Sequence, residues 1–194
     1  MKIIFTRHGE AMDDIENKYG GWYDPDLSPR GLEGAKTCAE KLKTVGIKAE
    51  IIFSSPLKRA VQTAKEISKV LGIPVETFVY LKERNTYGLL CGENKEEAKK
   101  KYPELVAAYD KGEEVLGFEA YDFFLKRVKA ALEKLTVTKY QSIICVTHGK
   151  FLGALFKSIL NVPVKEFRDN CWAEIEVDPT DKLILVRTEG IDLA

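Results

Sequence analysis

The chain has 194 residues, 45% of them hydrophobic, and its thirty basic side chains are balanced by thirty acidic ones. That length buries a core without disulfides or metals, so residues 1–194 are read as one domain. Zero net charge gives no global field to draw the chain to nucleic acid or to a membrane surface, so affinity for anions has to come from a local cluster. Lysine outnumbers arginine 23 to 7, which makes each arginine conspicuous.

Lys2 to Phe5 read as a buried strand, interrupted by Thr6-Arg7-His8-Gly9-Glu10. No charged and apolar leader precedes it and no run of about eighteen apolar residues occurs anywhere, so a cytoplasmic protein without a membrane partner is expected. An irregular stretch rich in Asp, Gly and aromatics follows to about residue 28, and a loop that long is usually either functional or mobile. Ser28-Pro29 reads as an N-cap followed by proline at the first helical position, with a helix to Val45 ended by Gly46. Ala49 to Phe53 reads as the second strand.

Ser55-Pro56 repeats the cap-plus-proline signal, and Leu57, Ala60, Val61, Ala64, Ile67 and Leu71 mark an amphipathic helix closed by Gly72. Ile73 to Val79 suggests a third strand, and 80–93 is irregular. Glu93 to Lys101 reads as a solvated charged face. Glu119 to Leu135 carries apolar residues at helical spacing. Ser142 to Val146 is another strand, followed by Thr147-His148-Gly149 and a helix through Leu160. Trp172 to Val177 and Leu183 to Val186 close the chain around a turn at 178–181. Strands alternating with helices define an α/β sheet. The cysteines at 38, 91, 145 and 171 lack C-x-x-C spacing, and Cys38 and Cys145 fall in apolar patterns, as core thiols do. With two histidines in the chain a His-rich metal site is not available, and neither a metal nor a cofactor is expected.

Both histidines stand just past a predicted strand and each is followed by glycine. In an open α/β sheet that is the crevice where ligands bind. The glycines are expected to let a ligand approach the backbone, and the helix starts after residues 28, 55 and 148 to offer N–H groups and partial positive charge. Arg59 falls near one of those starts, where a cation opposes the helix dipole unless an anion is bound there. Arg7, Arg59 and one protonated histidine would put two to three positive charges around a pocket, balance the charge of a phosphomonoester and match its oxygens with guanidinium forks.

Four segments occur in order: Thr6-Arg7-His8-Gly9-Glu10, Ser54 to Ala64, Leu81-Lys82-Glu83-Arg84, and Thr147-His148-Gly149. Together with Gly21-Trp22-Tyr23-Asp24 and Leu27-Ser28-Pro29-Arg30-Gly31, this series resembles the histidine phosphatase superfamily, the phosphoglycerate-mutase-like enzymes. The resemblance implies a three-layer α/β/α sandwich with a mostly parallel central sheet. It also implies a phosphoric monoester hydrolase of the histidine acid phosphatase type, acting on small phosphorylated metabolites. His8 would become a phosphohistidine, Arg7, Arg59 and His148 would hold the phosphoryl oxygens, and Glu83 would protonate the leaving oxygen.

Residues Glu83 to Gly88 and Gly92 to Lys95 are similar to the substrate loop of the family's mutases, which makes Arg84, Tyr87 and Lys95 candidate substrate contacts, with Lys150 at the rim. Two alternatives stay open: a cofactor-dependent phosphoglycerate mutase, or a catalytically weak phospho-ligand-binding protein. Against the mutase, Ala107-Ala108 stands where mutases carry an arginine pair that clamps a carboxylate. Asp14 replaces a family asparagine near the phosphate, and Ala120 replaces a serine hydroxyl; both changes point to an altered substrate preference. Oligomeric state is left open.

Overall fold

The computed structural model describes residues 1–194. Its centre is a six-stranded sheet formed by β1 (Lys2–Arg7), β2 (Ile51–Ser54), β3 (Val75–Thr77), β4 (Ser142–Thr147), β5 (Val164–Val177) and β6 (Leu183–Leu193), in the order β3-β2-β4-β1-β5-β6. β3, β2, β4 and β1 run parallel, and β5 and β6 are added antiparallel at one edge.

Strand alternation divides the core. Ile3 and Phe5 of β1, with Ile143 and Cys145 of β4, point to one face and pack against α6 (Tyr121–Thr136) and α7 (Gly149–Ala154). Ile4, Ile144 and Val146 point to the other and meet α2 (Pro29–Thr44) and α3 (Lys58–Leu71) through Cys38, Leu42, Ala60, Ala64 and Ile67. Helices cover both faces, which is the expected three-layer α/β/α sandwich with a mostly parallel sheet. Each large side chain so buried contributes about 1.5–3 kcal/mol of transfer free energy. A third, smaller cluster joins Tyr19 to Leu90, Ala98, Val106 and Val115, beside α4 (Lys95–Lys101) and α5 (Pro103–Asp110). No helix is long and apolar enough to cross a membrane.

Most element boundaries fall near their expected places. Ser28 caps α2 as read, its Oγ accepting from Gly31 N at 2.9 Å and donating to Glu10 at 2.6 Å. The strand at 73–79 shrinks to three residues, while the two closing strands extend well past their apolar cores, to 164–177 and 183–193. A short helix, α1 (Met12–Ile15), lies inside the first long loop. The last helix widens after Ala154 into a π-type coil over Leu155–Leu160.

One boundary was misread for a physical reason. Ser55-Pro56 does not open α3; the chain remains extended until Leu57 and the helix starts at Lys58. The Lys58 N–H is capped from outside by Asp24 Oδ1 at 2.6 Å. Ser55 Oγ accepts from Leu57 N at 3.3 Å, ahead of the helix, and also meets a second partner, described below.

Ala120 sits at the N-cap of α6 with no side-chain cap. Ala120→Ser is expected to add about 1 kcal/mol. A thermal melt should then read a rise of roughly 2–4 °C for a chain of this size.

Candidate active site

The register of β1 against β4 pairs Arg7 with Thr147, so the two His-Gly steps leave neighbouring parallel strands at the same level. His8 N donates to Thr147 O at 3.0 Å, and the two imidazole centroids lie 4.9 Å apart. The sequence echo therefore has a geometric basis. Both rings are withdrawn from solvent, His8 at 6% exposure and His148 at 0%.

His8 is held in one tautomer. Its Nδ1 lies 2.7 Å from Gly9 O, which can only accept, so Nδ1 carries the proton. Nε2 is then a bare lone pair, and it accepts from Arg59 Nε at 3.2 Å. Burial first, and then the Arg59 and Arg7 cations, hold its pKa well below the ordinary imidazole range. His8 is neutral near pH 7 with its Nε2 lone pair turned to Arg59, so it is not the protonated imidazole expected from the sequence.

Arg59 is almost fully buried, and its remaining nitrogens donate to Tyr23 O at 2.8 Å and Gly21 O at 2.9 Å. The long first loop thus serves to aim a guanidinium. Arg7 donates to Phe167 O at 2.6 Å and pairs with Asp169 at 3.2 Å, while its buried Nε has no partner. Both contacts come from the part of β5 that sequence periodicity did not reveal.

Glu83 is 8% exposed. Its carboxylate accepts from Arg84 N at 2.8 Å and from Lys150 N, at the start of α7, at 3.2 Å. Burial raises its pKa above the ordinary 4.5, outweighing those two N–H groups and the more distant Arg59 and Arg7. A histidine pushed down and a carboxylic acid pushed up thus share one cavity, the parting of pKa values that marks acid–base sites.

Arg7, His8, Arg59, Glu83, Arg84, Tyr87, Lys95 and Lys150 all line one cavity of about 480 Å³. His148 does not: it lies wholly buried behind His8, with Nε2 2.7 Å from Ser55 Oγ and Nδ1 unpartnered. Burial, followed by Arg59 and His8, holds its pKa well below the ordinary value as well. Ser55, misread as a helix cap, is the hydroxyl that orients this second imidazole.

Three expectations are corrected. Gly9 leaves no room for a ligand; a Cβ there would lie 2.6 Å from Gly31 O, so this glycine answers a close approach of two backbones. One first-turn N–H in each of α2, α3 and α7 is taken by Ser28, Asp24 or Glu83, so those three groups cannot hold an anion and cationic side chains supply most of the positive charge. Ala120 lines no part of the cavity, so its missing hydroxyl does not alter the lining.

Sequence reasoning missed Asp13, Lys18, Thr86, Lys165, Glu166 and Phe167, which complete the wall. Asp13 is buried with Oδ1 unpartnered and its pKa raised by that burial, while Asp14 is exposed and accepts from Ala11 N at 3.5 Å. Lys18, the nearest lysine in sequence, pairs with Glu16 instead, at 2.6 Å. Seven cationic side chains face four carboxylates, so the lining carries an excess of three positive charges despite the neutral whole. No local periodicity marks these residues; they meet because the segments at 13–21 and 83–87 and the start of β5 at 164–167 come to one place.

Comparison with known proteins agrees with this arrangement. Residues 3–186 match the model of the histidine phosphatase superfamily (branch 1). The chain is 31% identical to 2,3-bisphosphoglycerate-dependent phosphoglycerate mutase 2 of Lactiplantibacillus plantarum, over 87% of both chains. Among solved structures, the α-ribazole phosphatase of Shigella flexneri superposes with a TM-score of 0.81 at 22% identity, covering 98% of this chain and 96% of that one. The mycobacterial glucosyl-3-phosphoglycerate phosphatase superposes with a TM-score of 0.77 at 20% identity, over 96% and 97%. These two establish likeness of fold. The chain belongs to the histidine phosphatase superfamily.

Proposed function

We propose that this member of the histidine phosphatase superfamily hydrolyses small phosphomonoesters through a phosphohistidine on His8. The observation that carries the reading is the His8 tautomer: Nδ1 is committed to Gly9 O, leaving Nε2 unprotonated at the cavity. In the first half-reaction Nε2 forms a bond to phosphorus as the bond to the leaving oxygen breaks. The Glu83 proton passes to that oxygen. In the second, water attacks phosphorus and gives its proton to Glu83, and the N–P bond breaks to return neutral His8 and free phosphate. Arg59 Nε–H, no longer held by the Nε2 lone pair, turns to a phosphoryl oxygen, with Arg7 beside it and His148 behind.

Arg84, Tyr87, Lys95 and Lys150 are proposed to hold the remainder of the substrate. The excess of positive charge favours compact substrates with an anionic group beyond the phosphate. The four cysteines are free thiols, three of them buried, which fits the reducing cytoplasm expected from the sequence.

The curated relatives favour a second reading, phosphoglycerate mutase activity. Supporting hydrolysis, Ala107-Ala108 stands where the family's mutases carry their carboxylate-clamping arginines. One incubation separates them. With a panel of phosphorylated metabolites, including 3-phosphoglycerate with and without 2,3-bisphosphoglycerate, stoichiometric release of phosphate is expected. Interconversion of phosphoglycerate isomers with little phosphate released would replace hydrolysis by the mutase reading.

A further inference from the structure

The segment that carries Glu83 has no strand to hold it. Between β3 and α4 the chain runs through short turns and extended backbone, so its peptide groups need partners from elsewhere. Thr147 Oγ1 donates to Leu81 O at 2.8 Å and Trp22 Nε1 to Glu83 O at 2.7 Å, and one further side chain gathers three carbonyls at once. Arg127, on the second turn of α6, donates to Tyr80 O at 3.0 Å, to Lys82 O at 2.6 Å and to Glu83 O at 3.2 Å. Its guanidinium is in turn gripped by Glu119 through two parallel bonds, Nε to Oε1 at 3.0 Å and the terminal nitrogen to Oε2 at 2.8 Å. That fork–fork pair fixes the plane of the donor.

Glu119 also reaches the segment directly. Its backbone N–H donates to Asn85 O at 2.7 Å, and its carbonyl accepts from Arg84 Nε at 2.9 Å. Neither Arg127 nor Glu119 lines the cavity. They touch the backbone that bears the acid, not the place where substrate would lie.

We propose that Arg127, locked by Glu119, is a positioning residue that sets where the Glu83 carboxyl stands in the cavity. The inference rests on the reading of Glu83 as proton donor. Five donors in a rigid fork suit Arg127 to gather several carbonyls at once, and lysine cannot copy that geometry. A carboxylic acid displaced by even an ångström loses its line to the leaving oxygen.

The test reads leaving-group dependence in kcat/KM, which reports the phosphorylation half-reaction. An alkyl phosphate needs a proton on its departing oxygen, whereas 4-nitrophenyl phosphate releases a stable phenolate. Arg127→Gln is expected to lower kcat/KM for the alkyl ester by roughly 10–100-fold, and for the nitrophenyl ester by no more than about threefold. Arg127→Lys and Glu119→Gln should show the same pattern with smaller losses, and they carry the test if Arg127→Gln gives no cooperative melt. In a Glu83→Gln background Arg127→Gln should add almost nothing on the alkyl ester, because the two act as a unit.

Equal losses on both esters, or no loss on either, would overturn the positioning role. If Glu83→Gln itself fails to discriminate between the esters, the proton-donor reading falls and this inference falls with it. Discrimination by Glu83→Gln but not by the Arg127 and Glu119 variants removes the inference alone.

Discussion

His8→Ala is expected to reduce phosphate release by a factor on the order of 10⁴ to 10⁶, as loss of a covalent nucleophile does elsewhere. The size follows from the site. His148 lies behind His8 with its Nε2 tied to Ser55, and it does not line the cavity, so it offers no substitute nucleophile. Water acting alone would lack a positioned base other than Glu83. Rapid acid-free quenching of the wild-type enzyme with ³²P-labelled substrate should trap label on protein, stable to alkali and labile to acid. His8→Ala should trap none. Retention of most activity by the variant would refute the nucleophile assignment.

Glu83→Gln has the second largest expected effect, a loss of roughly 10²–10⁴-fold on substrates with poor leaving groups. The pH dependence gives a sharper signature. The productive free enzyme needs His8 neutral and Glu83 protonated. With His8 depressed and Glu83 raised, kcat/KM should be highest on the acidic side of neutrality and fall as pH rises through the Glu83 value. Glutamine does not titrate, so that fall should vanish in the variant. The limb from the substrate's second ionisation, near pH 6, should remain in both proteins.

Stability supplies an independent check with a definite sign. A carboxyl whose folded pKa is raised contributes stability that is fully present below its unfolded value of 4.5 and is lost as pH climbs through the folded value. Glu83→Gln should therefore be no less stable than wild type at pH 7, and its melting temperature should decline less between pH 4.5 and neutrality. A variant that is inactive yet this stable would place the defect in chemistry and not in folding.

The sandwich was legible because its signals are local. The apolar run Ile3, Ile4 and Phe5, helical spacing from Leu57 to Leu71, and the Ser28-Pro29 cap each act within a few residues. The family's motifs likewise brought out Arg7, His8, Arg59, Glu83 and His148. The edge strands were only half visible, since β5 and β6 continue through polar residues such as Lys165, Glu166 and Asp192, whose pairing is decided by the neighbouring strand and not by burial.

What the sequence determined by itself was therefore the sheet's strands and the helices packed on its faces, though not α1 or α5, and the place of both histidines just past strands, because propensity, capping and periodicity are short-range. The tertiary structure decided which groups serve those histidines. Asp24 caps α3 from 34 residues away, and Ser55 meets His148, 93 residues further on. Arg127 reaches back 44 residues to the Glu83 carbonyl. Such assignments depend on which buried polar groups must find partners once the layers close, and that demand does not exist until the chain has folded.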